Sequence, residues 1–299
     1  MKFILILFYL ALLWILTNIA HWLWIVPRMW LWNRKIQRNE DGIPIYDVPY
    51  TLGAHRSAIL FVHGFADKPV VFKEMAMILS ENFTCRCLSL YNSKSWVETV
   101  HREFEELKQT CDTVWVCGHS MGGAIALTAQ LERIINADGI ILLAPLFEVA
   151  THRSPFMTPQ RWFCIAKKWL CLTPYLESVF PVNVKTVNKD KIAYKRDRFI
   201  HYSVYDNLFS LTDTIRNRGT EITVPIFMAL AENDPVVSTS VAKRWIEKTK
   251  TRKNTVILHD CGHAIPLEPQ HVPQLCKSII EFVEVTTCAA NQQSSLWQT

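Results

Sequence analysis

Five residues, Gly118-His119-Ser120-Met121-Gly122, place a serine between two glycines in the pattern G-x-S-x-G. The pattern carries chemistry where a strand enters it and a helix leaves it. Here the apolar run 113–117 (TVWVC) precedes it, and a helical stretch at 121–135 follows. So sharp a turn strains the serine backbone. Side chains on either flank would strike strand or helix, which requires glycine at Gly118 and Gly122. The Ser120 hydroxyl then projects at the carboxyl edge of a sheet, near a helix N-terminus that favours negative charge. The competing reading, an ordinary glycine-rich turn, does not explain the flanking strand and helix.

A serine hydroxyl is a weak nucleophile until a base takes its proton. The base in turn needs a carboxylate to fix its tautomer and stabilise the imidazolium. With such an elbow the chain order is serine, acid, histidine. Asp234, in Ala231-Glu232-Asn233-Asp234-Pro235-Val236-Val237, directly follows one apolar run, and His263, in Cys261-Gly262-His263, follows the next. Both then fall on the edge where Ser120 stands. Glu232 is the alternative acid, and capping a turn is the competing role for Asp234. His259 and His271 are weaker bases, since one lies in a strand and the other opens a helix.

Attack on a carbonyl creates an oxyanion, which two backbone N–H groups should bind. One belongs to Met121, the residue after the serine; the other belongs to the loop after an earlier strand. His63-Gly64-Phe65 ends the apolar run 57–62, which assigns the second donor to Phe65. His63 precedes Ser120, and bracing this loop is its expected role rather than acting as the base. No cofactor and no metal is expected.

Alternating strands and helices must hold these groups. Residues 57–62 (SAILFV), 84–90, 113–117, 139–145 (GIILLAP), 224–231 (VPIFMALA) and 255–259 read as strands. Residues 71–79, 95–110, 121–135, 240–248 and 272–285 read as helices, the second with Trp96, Val97, Val100, Phe104 and Leu107 near 3.6-residue spacing. Continuous apolar strands between helices imply an α/β fold with a mostly parallel sheet covered on both faces. A short hairpin is expected near 43–51. Residues 147–222 break the alternation with aromatics, prolines and short helical patterns, an insertion placed as a lid would be. Within it, 160–172 is amphipathic, with Trp162, Ile165, Ala166, Trp169 and Leu170 on one side. The expected organisation is an anchor at 1–27, a connector at 28–56, core parts at 57–146 and 223–287, the insertion at 147–222 and a tail at 288–299.

The ordered set His63-Gly64-Phe65, Gly118-His119-Ser120-Met121-Gly122-Gly123, Asn233-Asp234-Pro235-Val236-Val237 and Gly262-His263 resembles the α/β-hydrolase family. Within that family it is similar to the monoacylglycerol lipase, lysophospholipase and small carboxylesterase group, over about residues 57–286. The resemblance implies the α/β-hydrolase fold and a Ser120–Asp234–His263 triad. Members with an aspartate nucleophile do not fit, because serine occupies the elbow.

Residues 3–26 contain no Asp, Glu, Lys or Arg. As a helix they extend about 36 Å, enough to cross a hydrocarbon core of about 30 Å with tilt. Trp22, Trp24, Trp30 and Trp32 gather at the far end, where indoles favour the interface. A cleaved signal peptide would have a shorter apolar region of about 7–15 residues and a small-residue cleavage site. This stretch instead ends in bulky residues and Pro27, so an uncleaved single-pass anchor in membrane lipid is expected. Lys2 on one flank against Arg28, Arg34, Lys35 and Arg38 on the other places the catalytic domain in the cytoplasm.

The 299 residues are 49% apolar and 20% charged, which allows a large core and argues against disorder. The net charge of +5 is mild and scattered, and nucleic acid is not an expected partner. The nine cysteines lack a disulfide rhythm. Cys85 and Cys87 should share one face of a strand, and Cys117, Cys164, Cys171 and Cys276 lie in apolar contexts, so buried free thiols in a reducing compartment are expected.

The leading expectation is hydrolysis of a carboxylic ester of an amphiphilic substrate, a monoacylglycerol or lysophospholipid. A peptidase or amidase would use the same triad and would want an acid for the substrate ammonium. Glu148, Glu177 and Asp206 are isolated candidates for it. A non-catalytic membrane scaffold on this fold would usually lack part of the triad, and every part is present.

Overall fold

Helix α1 (Lys2–Asn33) opens the chain, continues past the expected end of the anchor and runs through Pro27. Among the described residues it is the one helix long and apolar enough to cross a membrane. Residues 2–16 are exposed throughout, whereas Asn18 and Ile25 are buried. The computed structural model describes residues 2–150, 154, 156–178 and 196–296.

The alternation runs β1 (Tyr50–Leu52), β2 (Ser57–Val62), α2 (Lys73–Leu79), β3 (Thr84–Cys87), α3 (Trp96–Lys108), β4 (Thr113–His119), α4 (Met121–Leu131) and β5 (Gly139–Leu143). An insertion follows, with α5 (Pro159–Trp169), β6 (Tyr175–Glu177), β7 (Phe199–His201) and α6 (Tyr202–Ile215). The chain returns through β8 (Ile226–Ala231), α7 (Thr239–Lys248), β9 (Lys253–Leu258) and α8 (Val272–Leu296). The main sheet has the order β1-β3-β2-β4-β5-β8-β9, parallel except for antiparallel β1. This is the mostly parallel α/β architecture read from the sequence.

Burial explains the strand composition. β5 and β8 are buried at every position, and β2 and β4 at all but their first residue, so they read as unbroken apolar runs. Helix α2 packs with α8 and α3 with α4. Trp115 of β4 meets Phe282 of α8 edge-on, with ring centroids 5.9 Å apart. Helix α3 starts where Ser95 accepts a hydrogen bond from the Glu98 N–H, a side-chain cap that satisfies one of its free amides.

Four sequence expectations are corrected. The hairpin near 43–51 does not form; β1 pairs instead with distant β3, and the connector makes a tight turn closed by an Arg38–Pro44 bridge and the Asn39 side chain. A 3-10 turn over Pro69–Phe72 takes the start of the expected helix at 71–79. Helix α8 continues to Leu296, into the stretch expected to be a tail. All nine cysteines are free, but Cys164 and Cys171 are exposed rather than buried.

The insertion lies between β5 and β8 and, among the described residues, adds no strand to the main sheet; β6 and β7 form their own antiparallel ribbon. Its stem is stapled to the loop after β8. Ser238 N–H donates to the Glu148 carbonyl (2.9 Å), Ala150 N–H to that of Val236 (2.9 Å), and Val149 bridges Val237. Thr158 caps α5 with Pro159 in its first turn. Phe163 is the residue α5 buries, packing on Tyr205 at 5.1 Å. Trp162, Ile165 and Trp169, expected on the apolar face, remain 46%, 48% and 40% exposed.

Candidate active site

Ser120 stands between the end of β4 and the start of α4 with φ 53° and ψ −116°, a left-handed backbone rare for a residue with a side chain. A Cβ on Gly122 would lie 1.9 Å from the Val62 carbonyl oxygen, and one on Gly118 would lie 2.4 Å from Gly122. Both glycines therefore meet the steric requirement read from the sequence. The strained turn is pinned on both sides: Ser120 N–H donates to Leu143 O (2.9 Å), and Leu146 N–H to Ser120 O (3.1 Å).

The three side chains expected to form the triad converge. Ser120 Oγ lies 2.9 Å from His263 Nε2, and His263 Nδ1 lies 2.8 Å from Asp234 Oδ2. The other carboxylate oxygen, Oδ1, accepts from the N–H groups of Val236 (2.7 Å) and Val237 (3.0 Å). Burial opposes the Asp234 charge, yet His263 and these two amides outweigh it and hold the carboxyl below its usual range. All three residues are buried, so the chain of hydrogen bonds is shielded from competing water.

The rivals go elsewhere. Glu232 meets His259 Nδ1 at 2.9 Å on the exposed surface. His63 is buried and braces the loop. Its Nε2 accepts from the Leu90 N–H (3.2 Å), so Nδ1 carries the proton and donates to the Gly64 carbonyl (3.0 Å). Burial pushes its pKa down to about 4, which keeps the ring neutral.

The loop after β2 reaches the elbow. A Cβ on Gly64 would lie 3.3 Å from the Ser120 Cβ. The Phe65 ring packs on Tyr205 at 5.3 Å, and its carbonyl accepts from buried Arg196 (2.8 Å). A cavity of about 410 Å³ opens beside Gly64 and Met121, walled by Trp96, Tyr175, Asp197 and Ile200. A second, mainly apolar cavity of about 380 Å³ lies under α5, lined by Trp162, Phe163, Leu176, Tyr205 and Phe209.

Two contributors escaped the sequence reading. His119 Nε2 donates to the main-chain carbonyl of His263 (2.9 Å), and the two rings lie 5.1 Å apart. Burial, then the neighbouring His263, pushes the His119 pKa down to about 4. Glu268, fully buried, accepts from the Gly262 N–H (3.0 Å) and fixes the loop that carries His263. The variable position of G-x-S-x-G gives no cue to the first. The six-residue return from Glu268 to Gly262 gives none to the second.

The profile of the serine aminopeptidase S33 family matches residues 91–270, more than half of the chain, from the loop before α3 to the turn before α8. The chain belongs to the serine aminopeptidase S33 family. It is thus a serine hydrolase of the α/β-hydrolase fold. The family match includes Ser120, Asp234 and His263 and leaves out α1, β1 and β2. No curated protein matches the chain by sequence. Solved structures share the fold: a metagenome-derived lipolytic enzyme (TM-score 0.67, 14% identity, 80% of this chain and 98% of that one) and a monoacylglycerol lipase from Paleococcus ferrophilus (0.66, 15%, 80% and 98%). A soluble variant of the monoglyceride lipase of Saccharomyces cerevisiae, in complex with a substrate analogue, is also similar (0.65, 14%, 80% and 91%).

Proposed function

We propose that this family member is a membrane-anchored esterase that cleaves an amphiphilic acyl ester, of the monoacylglycerol or lysophospholipid class, with Ser120 as nucleophile, His263 as base and Asp234 as the acid that orients it. The observation that carries the reading is the unbroken chain from Ser120 Oγ through His263 to Asp234, at 2.9 and 2.8 Å. His263 Nε2 takes the hydroxyl proton as Oγ attacks the carbonyl carbon. The carbonyl electrons move onto oxygen, where the N–H groups of Met121 and Phe65 receive the charge. Collapse of the adduct breaks the ester bond, and the departing alcohol takes the proton from His263. Water, deprotonated by His263, then attacks the acyl-enzyme and releases the acid.

The apolar cavity under α5 suits an acyl chain, and its wall residue Tyr205 touches Phe65. The insertion that covers it acts as a lid. Helix α1 supports anchoring: residues 3–16 expose an unbroken apolar surface. The flanking charge supports a cytoplasmic catalytic domain. The family name also raises an aminopeptidase reading. Two acids that could hold a substrate ammonium are already committed, Glu177 to Arg28 and Arg198 and Asp206 to Lys167, all at 2.6 Å. That favours the ester.

The test is fluorophosphonate labelling of the full chain beside Ser120→Ala, followed by rates on p-nitrophenyl esters of rising chain length and on aminoacyl-anilides. Labelling of the wild type alone, with longer esters preferred, is expected. Labelling of both proteins or of neither overturns the mechanism, and preference for the anilides overturns the substrate class.

A further inference from the structure

Helix α1 is bound to the insertion through a polar latch in the middle of its apolar stretch. Asn18, 1% exposed, donates from Nδ2 to the Trp169 carbonyl (3.0 Å) and accepts at Oδ1 from the N–H groups of Cys171 (2.7 Å) and Leu172 (3.3 Å). Trp14 Nε1 donates to the same Trp169 carbonyl (2.9 Å). The Trp169 carbonyl ends α5, and the two N–H groups lie just past it. In water they need no such help. In hydrocarbon each unpaired one costs several kcal/mol, and a helix can end there only if something meets them.

Length gives an independent argument. Residues 2–13, ahead of the first contact at Trp14, extend only about 18 Å, short of a hydrocarbon core of about 30 Å. With Lys2 at the far surface, the near surface falls about twenty residues on, at Trp22 and Trp24, both exposed and suited to the interface. Asn18 then lies about 6 Å below that surface, and the end of α5 lies there with it. The side chains around that end match such a depth: Ile165, Trp169 and Leu172 are 40–53% exposed. Lys168, in the last turn of α5, has a stem long enough to carry its charge to the headgroups, while Lys167 pairs with Asp206.

We propose that the end of α5 is immersed in the same lipid leaflet as α1, held there by Asn18, so that the insertion dips into the bilayer instead of standing above it on a tether. The occupant of this apolar surface is lipid, because the surface is continuous with α1. The proposal rests on the anchoring reading. It gives the substrate a route from lipid directly into the cavity under α5, of which Trp162 is both a wall and an exposed rim residue.

The experiment places a nitroxide label on native Cys171 of the full chain, with Cys164→Ser and Cys288→Ser removing the other exposed thiols. Companion labels stand on Leu7→Cys in α1 and Met77→Cys on the surface of α2, each in a Cys171→Ser background. Collision rates with oxygen and with a water-soluble nickel chelate are measured in vesicles of phosphatidylcholine and phosphatidylglycerol. Labels at 171 and 7 should both favour oxygen, and the label at 77 should favour nickel. Asn18→Leu should move the label at 171 toward water while the label at 7 stays in lipid and hydrolysis of a short soluble ester is unchanged. A label at 171 in water with that at 7 in lipid overturns the immersion and leaves the anchor standing. Both in water overturns the anchor and the immersion together. An unmoved label at 171 in Asn18→Leu overturns the latch.

Discussion

His119 and His263 are joined directly: the Nε2–H of the first meets the main-chain carbonyl of the second at 2.9 Å. The residue before the elbow serine thus holds the backbone of the base. His119→Phe keeps the ring and removes the donor, leaving a buried carbonyl unpaired at about 1–3 kcal/mol. Reduced kcat with little change in KM is expected, together with a lower melting temperature. His119→Gln, which restores an N–H, should recover part of both. Steady-state kinetics and thermal melts check this, and an unchanged kcat in His119→Phe would remove the positioning role.

The two acids after β8 should separate cleanly. Asp234→Asn keeps the shape and loses the charge that orients His263, and kcat should fall about 10⁴-fold. Glu232→Gln should stay within about twofold of wild type, since its partner His259 is exposed and an exposed pair contributes little. Rates on one p-nitrophenyl ester decide between them.

Gly122→Ala forces a methyl to within 1.9 Å of the Val62 carbonyl, backbone against backbone. The loss should exceed about 4 kcal/mol. Gly123→Ala meets nothing nearer than the Pro145 side chain at 3.1 Å, with the Gly118 carbonyl and Leu142 at 3.3 Å, and should be milder. Denaturant melts of the two variants side by side measure the difference.

Acid should unfold the protein through its buried histidines. His63 and His119 titrate near 4 in the fold against 6.5 for a free ring. Below 6.5 the unfolded chain therefore binds protons that the folded chain refuses, and stability falls as pH drops from 6.5 toward 4. Buried Asp47, pushed up to about 6 by its burial, works in the opposite sense over much of that window, one group against two. The melting temperature should drop by more than about 4 °C across the window. His63→Gln should make that slope shallower.

The core was legible because its cues are local. β2, β4, β5 and β8 are buried on both sides and read as apolar runs, and the elbow carries its glycines within five residues. The insertion was visible only as a break in rhythm, because β6 and β7 are three residues each and lie more than twenty residues apart. β1 was misread as half of a hairpin because its partner β3 lies beyond the whole of β2 and α2. The apolar face of α5 was legible, but what it meets was not, since periodicity marks such a face without saying what covers it. Asn18 passed as one polar residue in a greasy helix, its partners being about 150 residues away.

The staple between residues 148–150 and 236–238 separates two jobs within one chain. Segments beyond it can tilt, lengthen or be exchanged without pulling on the carboxylate loop, because the strain stops at those paired amides. Side chains of the insertion other than Arg196 and Tyr205, which touch Phe65, can therefore change while the bond-breaking groups stay where they are.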